Sequence, residues 1–346
     1  MKILMLGIYN IEDYSRGRVI YNGLKKNKAN VKRYLPKGPL KYIKLAIRLL
    51  KKDYDVLFVT GKICLFVSWI LKPIHKKKIF FDAFISDYDN LVNDRKVVKK
   101  SSLKAKFLWL IDKFSCQISD YIILDTKEHV KYFVNEFGLN KKKFYVVYIG
   151  ADENIFYPRK SKKTKDFLVS FHGTFIPLQG IEYIVKAAKK LEGKNIVFEI
   201  IGKGQTYNKI VDLANRLKVK NVSFLGFKKI HTLPKYVSKA DVCLGIFGNT
   251  EKTKRVIPNK AYEVIAMKKC LITADTKAIN ELFEHKKNIY LCKVADENSL
   301  AKAILNLKKN RKLLNKISKN GYLLFKDVCT SKIIGKNLYD YIKSKL

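Results

Sequence analysis

Three stretches of this chain hold the residue types that could do chemistry. The densest is Gly248 to Asp275, GNTEKTKRVIPNKAYEVIAMKKCLITAD, which brings Lys252, Lys254, Arg255 and Lys260 into a short span. A helix is expected over Pro258–Met267 and a buried strand over Cys270–Ala274. Pro258 suits a first helical turn, where its missing N–H is not needed. Free N–H groups, the helix dipole and fixed cations at one helix start make a phosphate site. Glu263 lies one turn after Asn259 and repels phosphate, but it can accept hydrogen bonds from sugar hydroxyls. Together these residues suit a nucleoside diphosphate. The same pattern also reads as a solvated basic loop before an ordinary core helix.

The second stretch is Phe171-His172-Gly173-Thr174, followed by Pro177-Leu178-Gln179-Gly180, with Gly202-Lys203-Gly204 further on. Backbone N–H groups near Gly173 and Thr174 could hold phosphate oxygens. Gly202 and Gly204 close a strand and let a ligand approach the backbone, or simply permit a tight turn. His172 reads as a ligand contact or as a packed strand-end histidine. The third stretch, Phe81–Asp89, presents Asp82, Asp87 and Asp89, with Asp94 and Arg95 following. Carboxylates at a strand end suit acid–base chemistry or a grip on acceptor hydroxyls. Asp87-Tyr88-Asp89 also resembles a carboxylate metal pair, and all three acids could instead cap helices and pair with lysines. Gly7 and Gly17 flank the polar loop IYNIEDYSRG after the first strand, but a full GxGxxG fingerprint is absent, which weighs against a dehydrogenase.

Elements of one kind must position all three. In the first half, short apolar runs at Lys2–Ile8, Val31–Tyr34, Val56–Thr60, Ile79–Phe81, Tyr121–Leu124 and Phe144–Val147 alternate with helical patterns. Those helices are expected at Arg16–Lys28, Leu40–Lys51, Ile63–Leu71, Leu103–Ser119 and Lys127–Phe137, with Asp125-Thr126 placed to cap the last. Such alternation indicates a parallel sheet covered on both faces. Residues 153–165, with the charged run RKSKKTK, break the pattern and read as a linker between domains at 1–152 and 166–330. The alternation restarts at Phe167–Phe171 and runs through strands near Ile196, Val222, Val242, Cys270 and Ile289, with a short helix expected at Ile279–Phe283. The fold class is therefore α/β, two Rossmann-like domains with parallel sheets facing across a cleft. The last residues are helical with a break at Asp327–Thr330, and the helix over 331–346 is expected to cross back to the first domain.

The composition narrows the function. The 346 residues carry 71 Lys+Arg against 30 Asp+Glu, a net charge of +41. Residues 1–150 hold 31 basic and 13 acidic residues and the remainder 40 and 17, so the charge is spread evenly rather than gathered on one nucleic-acid face. An apolar content of 47% supports real cores. The six cysteines show no CxxC and no zinc-like spacing, which fits a reducing cytoplasm and offers no metal site. The first apolar run is too short for a signal peptide's core. Leu40–Lys52, LKYIKLAIRLLKK, places Leu40, Ile43, Ile47 and Leu50 on one face with cations mostly elsewhere. That is a basic amphipathic helix, suited to an anionic membrane surface. Packing of the stripe into the core is the favoured arrangement, leaving the basic face for lipid.

Four passages together resemble the retaining glycosyltransferases of family 4, with the GT-B fold: SDYIILDTKEHVKYF, YIGADENIFYP, IIGKGQ with VSFLGF, and ADVCLGIF with PNKAYEVIAMKKCLITAD. The resemblance implies transfer of a sugar from a nucleotide-diphosphate donor to an acceptor hydroxyl with retained configuration, and no bound cofactor or metal. It matches Glu263 to the second carboxylate of the family's Glu-x7-Glu motif, which grips the donor ribose, while Arg255 stands where the first carboxylate falls. The family's Arg and Lys in the first donor-domain loop are missing from GTFIPLQG, so Lys254, Arg255 and Lys260 are expected to neutralise the diphosphate instead. Phe227 and Lys228 follow the strand whose loop holds the base. No histidine matches the family's acceptor-domain histidine, and Asp82–Asp89 is at about the right place to serve. The expected site is thus Asp82, Asp87, Asp89 and Arg255 for catalysis. Gly173, Thr174, Gly202, Gly204, Phe227, Lys254, Arg255, Pro258, Asn259, Lys260 and Glu263 would bind the donor, and Gly7, Asp87 and Arg95 the acceptor. The basic first domain suggests a lipid-linked or glycan acceptor at the inner face of the cytoplasmic membrane, as in surface polysaccharide or glycolipid synthesis. A nucleotide-sugar epimerase of the same fold and a basic nucleic-acid-binding protein are the competing readings. The second has only the charge in its favour.

Overall fold

The computed structural model describes residues 1–7, 14–162 and 164–346. Ile8 of the expected first strand, the polar loop over 8–13 and Lys163 of the expected linker lie outside the described residues. The chain groups into two compact units, one of Met1–Val92, Lys96–Gly150 and Thr330–Leu346, the other of Asn93–Arg95 and Ala151–Cys329.

The first unit begins with β1 (Lys2–Leu6), α1 (Ser15–Lys26), β2 (Asn30–Tyr34), α2 (Lys41–Leu50), β3 (Val56–Val59), α3 (Lys62–Ile70), α4 (Lys72–His75) and β4 (Lys78–Asp82). A π-helical turn, Asp89–Asp94, leads to α5 (Leu103–Ile118), β5 (Tyr121–Leu124), α6 (Lys127–Phe137) and β6 (Phe144–Val146). The six strands are parallel in the order β2-β1-β3-β4-β5-β6. Val-Leu-Phe-Val of β3 is buried at every position, as a strand covered on both faces must be. Thr126 Oγ1 accepts from the His129 amide at 3.0 Å, so the expected cap of α6 is present.

The second unit holds β7 (Phe167–His172), α7 (Ile181–Lys190), β8 (Ile196–Ile201), α8 (Tyr207–Arg216), β9 (Val222–Gly226), α9 (Leu233–Lys239) and β10 (Val242–Leu244). It continues through α10 (Asn259–Ala266), β11 (Cys270–Ala274), β12 (Tyr290–Cys292), α11 (Glu297–Lys309) and α12 (Arg311–Leu324). Its strands are also all parallel, in the order β12-β11-β10-β7-β8-β9. In each sheet the order reverses beside the first strand, between β1 and β3 and between β7 and β10. Open α/β sheets bind ligands outside the carboxyl ends of the strands at such a switch point.

The last helix, α13 (Ser331–Ser344), packs on α1 and belongs to the first unit. Ile334, Leu338 and Ile342 share a core with Val19, Ile20 and Leu24. Glycines set the closeness of the two helices: a Cβ on Gly335 would lie 2.0 Å from the Gly23 carbonyl carbon. The expected break at Asp327–Thr330 falls at Thr330, whose extended backbone caps the last helix, and a π-helical turn, Phe325–Cys329, runs on from α12 up to it with Phe325 and Cys329 buried. The helix expected at Ile279–Phe283 is a single 3-10 turn, Ile279–Glu281.

The clearest correction concerns α2. Its expected core stripe, Leu40, Ile43, Ile47 and Leu50, is exposed, and Leu45 and Leu49 are buried instead. KYIKLAIRLL is apolar around most of its circumference, so it offers two stripes, and the core takes the narrower one. Tyr54, itself buried, holds that face by donating to the Leu49 carbonyl at 2.8 Å. All six cysteines are buried and unpaired, and burial pushes their thiols up, that of Cys64 to about 11. Among the described residues no helix is long and apolar enough to cross a membrane.

Candidate functional site

In the second unit the switch point lies between the ends of β7 and β10, at His172-Gly173 and Leu244-Gly245. Two loops close over it and are tied together. The Phe247 amide donates to the Gln179 carbonyl at 3.0 Å and the Gly248 amide to the Leu178 carbonyl at 3.2 Å. Thr273 Oγ1 accepts from the Ile246 amide at 3.0 Å and holds the second loop against β11. Gly202 fixes the third side: a Cβ there would sit 1.9 Å from the Gly173 carbonyl oxygen, so any side chain would push the two loops apart. Gly204 is similarly tight against the Phe175 backbone.

Lys260, in the first turn of α10, reaches into this crevice. Its Nζ donates to Gln179 Oε1 at 2.5 Å, lies 3.4 Å from the Gly245 carbonyl oxygen and sits 3.6 Å from the centre of the Phe171 ring. A Cβ on Gly173 would approach it to 2.8 Å. The side chain is buried, and burial drives its pKa well below the ordinary lysine value, against the pull of Glu263. The loop that lacks its own cation thus receives one from a helix 81 positions away in sequence, held by the glutamine that ends it. Burying an ammonium this way is costly for stability alone.

Glu263, one turn further along α10, is also buried, and its Oε2 accepts from His172 Nε2 at 2.8 Å. With Nε2 as donor, Nδ1 is the acceptor nitrogen of the imidazole, and among the described residues it has no hydrogen-bond partner. Lys260 and Glu263 therefore present a cation and a carboxylate at the start of one helix, where the Ala261 amide already donates to the Pro258 carbonyl at 2.8 Å and the Asn259 and Lys260 amides precede the first helical bond. That arrangement can hold an anion and a pair of hydroxyls side by side. Arg255 lies half-buried in the turn before α10, and Pro258 and Asn259 lead into the helix. Lys254 points to solvent and pairs with Glu251 at 2.6 Å. Thr174 sits in the loop after Gly173, and Phe227 is 68% exposed just beyond β9.

The first unit treats its three carboxylates differently. Asp82 is buried against Arg16, whose Nε lies 3.0 Å from both carboxylate oxygens and whose second terminal nitrogen is 3.0 Å from one. Arg16 also donates to the Val147 carbonyl at 2.8 Å, which fixes α1 to the sheet. Burial pushes the Asp82 carboxyl up while Arg16 pulls it back. Asp87 is half-exposed and pairs with Lys62 at 2.5 Å, and Lys62 also pairs with buried Asp112. Asp89 is buried in the π-helical turn, its amide donating to Ser86 Oγ at 2.9 Å. No group of three His, Cys, Asp or Glu side chains that could hold a metal occurs among the described residues. Gly7 sits at this unit's switch point, where a Cβ would meet Thr60 Oγ1 at 2.7 Å. Arg95 is exposed and groups with the second unit, its carbonyl accepting from Gln205 Nε2 at 2.9 Å.

Sequence reasoning missed Gln179 as the holder of Lys260 and the His172–Glu263 pair, because both join residues more than 80 positions apart. It also missed buried Arg16 and the Asp125–His129 pair (2.6 Å), although the i, i+4 spacing of the latter is readable on a helix start.

A family model for the group 1 glycosyl transferases matches residues 152–324. A putative colanic acid biosynthesis glycosyl transferase, WcaI of Escherichia coli K12, is 23% identical over 127 residues, which cover 36% of this chain and 31% of WcaI. The Anabaena protein HepE, solved in complex with UDP, superposes with a TM-score of 0.75 at 15% identity over 99% of this chain and all of that one. It has also been solved with UDP-glucose. Sucrose-phosphate synthase of Thermosynechococcus elongatus superposes with a TM-score of 0.78 at 14% identity, covering 99% of this chain and 98% of the other. The two solved structures share the fold of this chain, a pair of parallel six-stranded sheets with a returning C-terminal helix.

Proposed function

The chain belongs to the group 1 glycosyltransferases, a retaining class, and from that premise we propose that its second unit binds a UDP-sugar and gives up the sugar to an acceptor hydroxyl. The observation that carries the reading is the buried Lys260 ammonium at the switch point, held beside glycine-rich loops at the start of α10. A group so expensive to bury is expected where an anion repays the cost. The likeness to HepE, known with UDP, favours uridine.

In the reaction the bond between the anomeric carbon and the β-phosphate oxygen breaks and a bond to the acceptor oxygen forms on the same face. Negative charge grows on the departing diphosphate, whose leaving β-phosphate oxygen, on the same face, takes the proton of the acceptor hydroxyl. Lys260, the α10 amides and the backbone of Gly173, Thr174, Gly202 and Gly204 stabilise that charge where it develops. Arg255 adds a second cation, and exposed Lys254 adds a weaker, solvent-screened one. Glu263, oriented by His172, accepts from the ribose hydroxyls. Pro258 and Asn259 set the helix start, and Phe227 offers a ring to the base. On the acceptor side Asp87 is the accessible carboxylate, while Asp82 and Asp89 hold its loop. Gly7 leaves room for the acceptor at the first unit's switch point. The name of WcaI supports a role in polysaccharide biosynthesis, and the basic first unit favours a lipid-linked or glycan acceptor at the inner face of the cytoplasmic membrane.

The test is a panel of UDP-, GDP- and TDP-sugars incubated with and without lipid-linked acceptors, with released nucleotide and anomeric configuration read by NMR. Acceptor-dependent release of UDP with retention supports the reading. An isomerised nucleotide sugar formed without acceptor replaces it with the epimerase reading.

A further inference from the structure

We propose that the outer face of α2, α3, α4 and α5 docks this protein on an anionic lipid bilayer, its apolar side chains entering the acyl region and its lysines meeting headgroup phosphates. The proposal rests on the lipid-facing acceptor reading for its purpose and names a surface that reading does not require. Large exposed apolar side chains are concentrated here. On α2 and its approach they are Leu40, Ile43, Ile47 and Leu50, and on α5 they are Leu103, Phe107, Leu110 and Phe114. The α5 set recurs at helical spacing and so forms one unburied stripe, Leu103 being 83% and Phe107 61% exposed. Between these helices lies α3, with Trp69 and Ile70 exposed. Trp69 meets Phe114 edge-on at 5.4 Å, so the α3 and α5 faces are continuous, and α2 packs along α3. Scattered apolar residues need no explanation, but a three-helix apolar face does.

Charge selects the occupant. By sequence these four helices hold one acidic residue, Asp112, and it is buried against Lys62. Their outward cations include Lys44 on α2 and Lys104, Lys106 and Lys113 on α5, while Arg48 of α2 is turned to Asp53 at 2.6 Å. Lys72 of α4 and Lys76, Lys77 and Lys78 after it line an open groove beside Trp69 and Ile70, where the one acid, Asp120, is paired with Lys72 at 2.6 Å. Lys113 Nζ lies 4.8 Å from the Trp109 ring, an apolar stem along the surface with its charge at the edge. A second copy would bring like charge against like, and an acidic protein would leave the aromatic stripe without a matching apolar depth. An interfacial helix face ringed by lysine suits phospholipid.

The test is co-sedimentation of the full chain with phosphatidylcholine vesicles, with and without phosphatidylglycerol, at low and high salt. The expected result is binding that needs phosphatidylglycerol and weakens with salt. Phe107→Ser with Leu110→Ser should weaken it about tenfold or more, and Lys76→Glu with Lys77→Glu should do the same. UDP affinity and melting temperature are measured on each variant as controls for folding. If the serine pair fails to fold, Trp109→Phe leaves Trp69 as the sole tryptophan, and its quenching by brominated acyl chains reports insertion. No binding to vesicles, binding untouched by both pairs, or a dimer or an acidic protein complex lost with the stripe would overturn the proposal. Lost UDP binding with vesicle binding intact would instead count against the donor site alone.

Discussion

Lys260→Met removes the buried ammonium while nearly keeping the side chain's length and apolar stem. Two stability effects oppose one another. Loss of a buried cation that has no full counter-charge relieves a cost, and replacing buried ionic groups by apolar ones gains about 1–4 kcal/mol where it helps. Gln179 Oε1 loses its donor, 2.5 Å away, at a cost of about 1–3 kcal/mol. The net change should stay within about 3 kcal/mol, or a melting shift under about 12 °C. Binding has no such cancellation. A charge-assisted bond to phosphate is worth about 1.5–3 kcal/mol, so UDP affinity should fall about 10- to 150-fold. Isothermal titration with UDP and thermal denaturation of the same variant read both quantities. Unchanged UDP affinity, or a collapse of stability with affinity kept, would refute the assignment and make Lys260 a packing residue.

The depressed pKa of Lys260 gives a pH dependence of fixed sign. The unfolded chain binds this proton below the ordinary value of 10.5 and the fold does so only below a lower value, so stability falls as pH drops from 10.5 towards that value. Diphosphate favours the charged form, so UDP binding above the lowered value should take up a proton, seen as a binding enthalpy that changes with the buffer's ionisation enthalpy. Glu263→Ala removes the partner of His172 and should cost UDP more than it costs a diphosphate without ribose; equal losses for inorganic pyrophosphate and UDP would count against a ribose contact. Asp82→Asn leaves Arg16 buried beside a neutral group and should lower stability to urea by about 3–5 kcal/mol with UDP affinity unchanged, since the pair lies in the first unit.

The alternation of short apolar strands with helices made both sheets legible from residues alone, because strands such as Val56–Val59 buried on two faces have no other sequence form. The position of α10 was readable from Pro258 and the apolar run after it. The side each helix turns inward was less so. In α2 two stripes compete, and only the sheet beneath decides that Leu45 and Leu49 go in. The site was legible as a list but not as pairs. Nothing near Lys260 in sequence points to Gln179, and nothing near Asp82 points to Arg16, because those contacts form only when helices and loops distant in sequence pack together over the strand ends.

The central claim is that the β7–β10 switch point recognises a diphosphate through Lys260. The most direct measurement is a side-by-side titration of the intact protein with uridine, UMP and UDP. The account predicts measurable UDP binding, a much weaker response to UMP, and a UDP advantage that shrinks in Lys260→Met. Equal affinity for UMP and UDP, or a UDP advantage untouched by the substitution, would contradict it.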